Sequence, residues 1–401
     1  MTESTIYIDT EERLLARTYQ KIPVVAARAK GSRIWDPDGR EYLDFMGGYG
    51  VAILGHSFPS VQEAIVRQMG EISITHGSVY SPARSRFLQE LSRVLPWNSS
   101  GTFLSNSGTE AVEAAIKLSV KYTGRKKIIG MERGYHGKTL GSLSITHSPK
   151  YRKAFADIIN PNVEFLKFGD ADQVSQSLKR EDVAAIFIEP VQGEGGIIIP
   201  PEGYLESVSE IAEQTGTLLV VDEIQSGLGR TGKMWAHQHW GITPDIVTAG
   251  KGIGGGIPMG VTAARSEIMG VLDIGEQSST MGGNPLACAG GTEVLRALRS
   301  GYIEKSSRMG RYLMNRINSE IGDHRLVSVS RGMGMMLALE LKIRFLPVLM
   351  NLISEGLITL YSGINTIRML PPYIITEEDA DLAVSIMKTA LDRQLEVARV
   401  N

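Results

Sequence analysis

The sequence predicts an α/β protein built on a mostly parallel sheet with helices on both faces. Three observations carry this expectation. Short apolar runs recur from residue 102 onward, at 103–105, 127–131, 163–168, 183–190, 218–221, 245–249 and 259–264. Such runs, bounded by turn residues, read as buried strands of a parallel sheet. Helical patterns lie between them: residues 109–122 place Val112, Ala115, Ile116 and Val120 on one face, and Gly124 ends the pattern. Strands alternating with helices give this layered architecture. Glycine is abundant, 44 of 401 residues, and clusters where the apolar runs break off. Tight strand-to-helix turns need that freedom.

The segments before and after this series differ in kind. Residues 1–30 open polar and then show a weak helical pattern around Leu14 and Leu15. Residues 33–35 and 41–45 flank Asp36-Pro37-Asp38-Gly39. Proline fixes φ there and glycine frees it, so a small hairpin is expected. Gly47, Gly48 and Gly50 follow, then a helix near 60–70. After Pro285, helices are expected at 293–299 and 304–321, a strand at 334–342 and a short helix at 348–356. The last helix should start at Thr376, with Asp379 as its reciprocal cap and Val384, Met387, Leu391 and Leu395 as its apolar stripe. The expected division is an N-terminal arm and hairpin at 1–46, a large α/β domain at 47–287 and a smaller α+β domain at 288–401. The site would lie in the crevice between them.

Composition excludes several classes. A net charge of −2 gives no pull toward nucleic acid or anionic membrane. The one cysteine, Cys288, excludes an internal disulfide and multi-cysteine metal sites. His237 and His239 are the only closely spaced histidines and have no third ligand near, so no metal is expected. No window of about 18 apolar residues predicts a membrane span. The first residues lack the basic and apolar regions of a secretory leader, and a cytoplasmic location is the expectation.

In a parallel sheet, ligands collect outside the carboxyl ends of the strands. Run 218–221 breaks into Asp222, Glu223, Ile224 and Gln225, and run 245–249 into Gly250, Lys251 and Gly252. Asp222 and Lys251 are therefore expected at one edge of one sheet. An acid beside a lysine in a glycine-lined crevice is the pairing that pyridoxal phosphate needs. A buried lysine is costly unless neutralised, and an exposed lysine in a glycine-rich turn is the plain alternative. Ser107, Gly108 and Thr109 join a strand to a helix N-terminus, which suits an anion; a simple helix cap fits the same residues. Tyr135, at the end of run 127–131, can stack on a flat ring or decorate a rim. Lys138 in the same loop can face a substrate carboxylate or solvent. Glu194 sits in a glycine-framed loop. Ser279 and Thr280 offer hydroxyls to a phosphate, to a carboxylate or to a turn. Arg368, just before Pro371-Pro372, is a candidate carboxylate clamp because its planar fork binds in two places.

Together, NSGTEAVEAAIKL, GYHGKT, EPVQGEGG, VVDEIQSGLGRTGK, PDIVTAGKGIGGGIP, STMGGNPLAC and RGMGMMLALEL resemble the class III aminotransferases of the ornithine/acetylornithine type. The likeness runs over nearly the whole chain, from RIWDPDGREYLDF to IRMLPP. It implies a pyridoxal-phosphate enzyme of the aspartate-aminotransferase fold, a homodimer with sites at the subunit interface, and glutamate/2-oxoglutarate as the donor pair. By position it implies that Lys251 carries the cofactor and then moves the proton. Asp222 would pair with the pyridine nitrogen and Gln225 with the ring oxygen, with Glu223 and Ile224 in the same cofactor segment. Ser107, Gly108 and Thr109 would hold the phosphate, and Thr280 would reach the phosphate of the neighbouring subunit's cofactor. Tyr135 would stack on the ring. Arg368 would bind a substrate carboxylate, with Glu194 pairing to it when no dicarboxylate is bound, and Ser279 would line the substrate region.

One departure stands out: the family usually carries arginine where this chain has Lys138. Lysine keeps the charge and loses the fork. GVAILGH, SLSITHSPKYRKAF and SGINTIRMLPPYIIT are similar to one branch, the carrier-protein aminotransferase of lysine and arginine biosynthesis. Its semialdehyde substrate is amide-linked to a small acidic amino-group carrier protein, for which residues 150–153 with 125–127 form a candidate docking surface. An acetylornithine aminotransferase acting on the free N-acetylated substrate, a 4-aminobutyrate or other ω-amino acid aminotransferase, and an aminomutase stay open beside it. A nicotinamide-dependent oxidoreductase would need G-x-G-x-x-G directly after a first strand, with an acid about 20 residues on, and no such unit follows the first apolar run at 103–105.

Overall fold

The apolar runs form the centre of a seven-stranded sheet. A computed structural model describes residues 2–180 and 182–400. The strands are β1 (Arg28–Lys30), β2 (Arg33–Trp35), β3 (Glu41–Asp44), β4 (Ser100–Ser105), β5 (Lys127–Met131), β6 (Val163–Leu166), β7 (Val183–Ile188) and β8 (Leu218–Asp222). They continue with β9 (Ile246–Ala249), β10 (Gly260–Arg265), β11 (Val327–Met333), β12 (Met336–Leu341), β13 (Leu357–Ile358), β14 (Leu360–Ser362) and β15 (Thr366–Met369). The large sheet has the order β4-β10-β9-β8-β7-β5-β6. β10 is antiparallel to both its neighbours, and the remaining pairings are parallel. β7 and β8 are buried along their whole length, as a sheet covered on both faces requires. Burying each Val, Leu or Ile there stabilises the fold by roughly 1.5–3 kcal/mol. The carboxyl ends of β4, β5, β7, β8 and β9 consequently point to one edge.

The helix Gly108–Thr123 covers one face, burying Ala111, Val112, Ala114, Ala115 and Leu118, and stops at Gly124 with φ +69°. The predicted N-terminal hairpin is formed by β2 and β3. Its turn closes through Gly39 N–H donating to Asp36 O at 3.1 Å. Behind it the chain makes a left-handed turn at Gly47, Gly48, Tyr49 and Gly50 (φ +56°, +58°, +61° and +82°). A Cβ at Gly47 would stand 2.6 Å from Leu370 O, so no larger residue fits.

The C-terminal part departs from expectation in three places. The helix expected at 293–299 begins at Pro285 and runs to Ala297. Gly290 and Gly291 hide it from periodicity, yet they let it approach Gly254, Ile65 and Phe87. The expected division at 287/288 falls inside this helix, which packs on the helices Pro59–Glu71 and Pro82–Ser92. β11 was not expected: only Val327 is fully buried along it, so no alternation marks it. It joins β12, β15 and β14 in a second sheet. The short β13 instead pairs in parallel with β3, Leu43 opposite Leu357 and Asp44 opposite Ile358. The last helix, Glu377–Val400, carries the expected reciprocal cap: Asp379 N–H donates to Thr376 Oγ1 and Thr376 N–H to Asp379 Oδ2, both at 3.2 Å.

Candidate active site

Five strand ends of the large sheet, or the turns that follow them, build one cavity of about 450 Å³. Gly108 and Thr109 come from the helix after β4, Tyr135, His136, Gly137 and Lys138 from the loop after β5, and Glu189 from the end of β7. Asp222, Ile224 and Gln225 follow β8, and Lys251 follows β9. Residues scattered from 108 to 251 thus meet because parallel strands end together.

At the phosphate-suited corner, Ser107 caps the helix, its Oγ accepting from Glu110 N–H at 3.3 Å. That leaves the N–H groups of Gly108 and Thr109 at the helix head, beyond its own ladder. Thr109 Oγ1 lies 2.6 Å from Ser142 Oγ and 2.9 Å from Thr139 Oγ1. A Cβ at Gly108 would stand 2.7 Å from Ile224 Cδ1. A Cβ at Gly137 would strike the Thr109 hydroxyl. Glycine at both positions keeps this cradle open.

Asp222 is buried and braced on both sides: Oδ1 accepts from Ile224 N–H at 3.0 Å and Oδ2 lies 2.7 Å from His136 Nδ1. A carboxylate only accepts, so Nδ1 carries the proton. Burial works against a charged ring, but the bond to Asp222 and the fields of Asp222 and Glu189 outweigh it, and the His136 pKa is raised. Lys251 has a left-handed backbone, φ +51°. Such strain in a residue with a Cβ costs of order 1–3 kcal/mol and tends to cluster at functional sites. Burial, helped by Arg368 and opposed by Glu194, Asp222 and Glu189, lowers its amine to about 8. Burial also raises the Tyr135 phenol to about 12, so it stays protonated.

Arg368 is fully buried in β15. Its Nη2 donates to Glu194 Oε1 at 2.7 Å, Nη1 to Gln225 Oε1 at 3.3 Å and Nε to Tyr361 O at 3.2 Å. The arginine, the glutamate and the glutamine expected at the site are therefore in one network. A second cavity of about 530 Å³ opens beside it, sharing Tyr135 and lined further by Arg133, Lys150, Tyr151, Glu194, Arg331 and Tyr361. Lys138 stands over the Tyr151 ring at 4.6 Å and the Tyr135 ring at 5.9 Å.

Not every expected residue faces these cavities. Glu223 is turned away: Oε1 accepts from His237 N–H at 2.9 Å and Oε2 from the Ser226 hydroxyl at 2.7 Å. Ser107 acts on its own helix. Ser279 Oγ takes Asn106 Nδ2 at 3.0 Å and Gly282 N–H at 2.9 Å and does not line either cavity. Thr280 is exposed. The basic residues at 125–127 sit at the amino end of β5, opposite the site. Arg125 donates to Val183 O, Thr215 O and Gly216 O, each at 3.1 Å, and Lys127 pairs with Glu164. Of residues 150–153, by contrast, Lys150 lines the second cavity. His136 and Glu189 were missed. Glu189 sits where β7 ends, the same signal that singled out Asp222, while His136 lies five residues beyond the end of β5.

Residues 14–391 match the family model described as aminotransferase class III. The chain is 39% identical over 378 residues to a LysW-aminoadipate semialdehyde/glutamate semialdehyde transaminase of Sulfolobus acidocaldarius, covering 94% of this chain and 97% of that one. It is 39% identical over 377 residues to an acetylornithine aminotransferase of Methanopyrus kandleri, covering 93% and 96%. Its fold is similar to that of an ornithine aminotransferase from Toxoplasma gondii, with a TM-score of 0.95 and 30% identity over 99% of this chain and 96% of that one. That structure has pyridoxal phosphate at partial occupancy in its active site.

Proposed function

The chain belongs to the class III aminotransferases, and from that premise we propose that it moves an amino group between glutamate/2-oxoglutarate and the terminal semialdehyde of a lysine or ornithine precursor held on an amino-group carrier protein. Class III enzymes work with pyridoxal 5′-phosphate. The cavity fits that group: an anion cradle at Gly108 and Thr109, a carboxylate at Asp222, an amide at Gln225 and an amine at Lys251 line one space. When bound, the cofactor supplies the electron sink that lets a substrate α-proton leave.

The residues of the chain divide the remaining work. Lys251, with its amine lowered to about 8, holds the cofactor and then takes and returns the proton near neutral pH. Asp222, fixed by His136 and Ile224, would face the pyridine nitrogen. Arg368 is held by Glu194 and receives a carboxylate of glutamate when that pair opens. Tyr135, which lines the same cavity, would cover the ring.

The observation that carries the carrier-linked substrate is the second cavity beside this pair. Arg133 and Lys150 line it, Lys138 lines the neighbouring first cavity, and none of the three makes an ion pair among the described residues. Unpaired cations around an opening favour an acidic partner and steer its approach. The relatives named for LysW-linked semialdehydes support the same substrate. The free acetylated compound is the second reading, favoured by relatives named acetylornithine aminotransferase. A glutamate-dependent amination assay decides between them: the carrier-linked semialdehyde should react with the higher kcat/KM, and comparable or better rates on N-acetylglutamate semialdehyde overturn the proposal.

The active unit we propose is a homodimer. Val66, Met69, Ile72, Ile74, Val79 and Tyr80 are all exposed along one stretch, an apolar patch of the kind that pairs subunits. The exposed Thr280 would then meet the neighbouring site.

The pH dependence of cofactor capture follows from Lys251. Only the neutral amine attacks an aldehyde. A lowered pKa makes that form dominant above about pH 8. Reconstitution of cofactor-free protein with pyridoxal phosphate should therefore quicken up to about pH 8 and level off beyond it. A rate still climbing tenfold per pH unit at pH 9–10, as an ordinary lysine near 10.4 would give, overturns this. Stopped-flow absorbance measures it.

A further inference from the structure

Glu189 ends β7 with its side chain almost wholly buried, 6% exposed. Among the described residues no cation bonds to it. Instead each oxygen accepts a backbone N–H from a different loop: Oε2 from Tyr135 at 3.0 Å, Oε1 from Gly193 at 3.1 Å. The first loop carries Tyr135, His136 and Lys138, and the second carries Glu194. The loops also touch directly. A Cβ at Gly195 would stand 3.2 Å from Arg133 Cβ, and Gln192 Nε2 donates to Glu132 O at 2.8 Å. On its far side Gly193 gives room to the Gln225 amide, whose oxygen accepts from Arg368.

We propose that Glu189 is a positioning residue whose two carboxylate oxygens lock the Tyr135 loop to the Glu194 loop, so that one side chain sets both the wall facing the cofactor ring and the wall facing the substrate carboxylate. The inference rests on the class III reading of the site. A carboxyl offers an acceptor at each oxygen, best when ionised; an amide of the same shape offers one and points a donor at the other N–H. A buried carboxylate without a bonded cation is costly, so a neutral residue would serve better if packing alone were wanted. Burial, with Asp222 adding to it and His136 and the two N–H bonds opposing, raises Glu189 to about 7. The other groups that feel its charge are Tyr135 and Lys251.

The test is hydrogen exchange of the full, cofactor-loaded chain, wild type against Glu189→Gln. Amides of the segment left facing the amide donor, 132–138 or 190–197, should exchange about tenfold faster, the loss expected when a hydrogen bond of ordinary net strength is replaced by a repulsive contact, and those of the other should quicken by less, its tie to a fixed neighbour being gone. The β11–β12 hairpin should be unchanged. In the same variant KM for glutamate should rise, and the circular dichroism of the bound cofactor should shift as the Tyr135 wall loosens. Unchanged exchange in both segments overturns the clamp. If Glu189→Gln does not fold, Glu189→Asp is read in the same way: it keeps both acceptors on a shorter stem, and unchanged exchange in both segments again overturns the proposal. Exchange needs no turnover. A protein with coupled loops and no transamination would sink the functional reading and leave the clamp; active enzyme with uncoupled loops would do the reverse.

Discussion

Lys251→Ala is expected to lose turnover by more than about 10⁴-fold, because one side chain supplies both the covalent anchor and the proton shuttle. The cofactor should still bind through the cradle at Gly108 and Thr109, but without the near-visible absorbance of its lysine-bound form. Stability should change little or improve. The wild-type residue combines a left-handed backbone with an amine whose charged form is disfavoured by burial. Alanine keeps the backbone strain and removes the buried amine. The measurement is single-turnover absorbance with glutamate. Turnover within tenfold of wild type would remove Lys251 from the mechanism.

Asp222→Asn is expected to lower kcat about 10³-fold, the scale seen when a charge placed for the transition state is removed. Its second effect is more diagnostic. An asparagine has one oxygen, and Asp222 now uses two, one toward His136 and one toward Ile224 N–H. One of those donors must lose its acceptor. With the carboxylate gone, burial governs the imidazole, so the raised His136 pKa should fall below its ordinary value. The ring then becomes neutral through the physiological range, which proton NMR of its Cε1–H resonance reads directly. A kcat within threefold of wild type, or an unmoved His136 titration, would sink the assigned role.

The central sheet was legible because its strands are buried on both faces and so read as unbroken apolar runs. Asp222 and Lys251 were legible for the same reason: a run that stops abruptly at a polar residue marks a strand end, and strand ends are where ligands gather. What the chain hid has physical causes too. β11 carries mostly exposed or half-buried side chains and has no period to find. The helix from Pro285 contains Gly290 and Gly291 for close packing, which local propensity scores against. The bond from His136 to Asp222 joins residues 86 apart in the chain, and no spacing rule spans that distance. Glu189 stood at a strand end like Asp222. Its work is done on backbone N–H groups, which leave no trace in residue types. Thr280 and the apolar stretch around Tyr80 gain a meaning only in the dimer proposed above.

The pairing of β3 with β13 bears on the order in which this protein can be made. The hairpin at residues 33–44 leaves the ribosome early, yet the strand that completes its edge is Leu357–Ile358. Asp379 of the last helix holds Arg33 at 2.6 Å. An emerging chain must therefore keep its first hairpin waiting, edge exposed, until nearly all of synthesis is over. Such long-range closure slows folding and leaves an adhesive edge in the meantime. Truncation before residue 357 should consequently unsettle the beginning of the chain as much as its end.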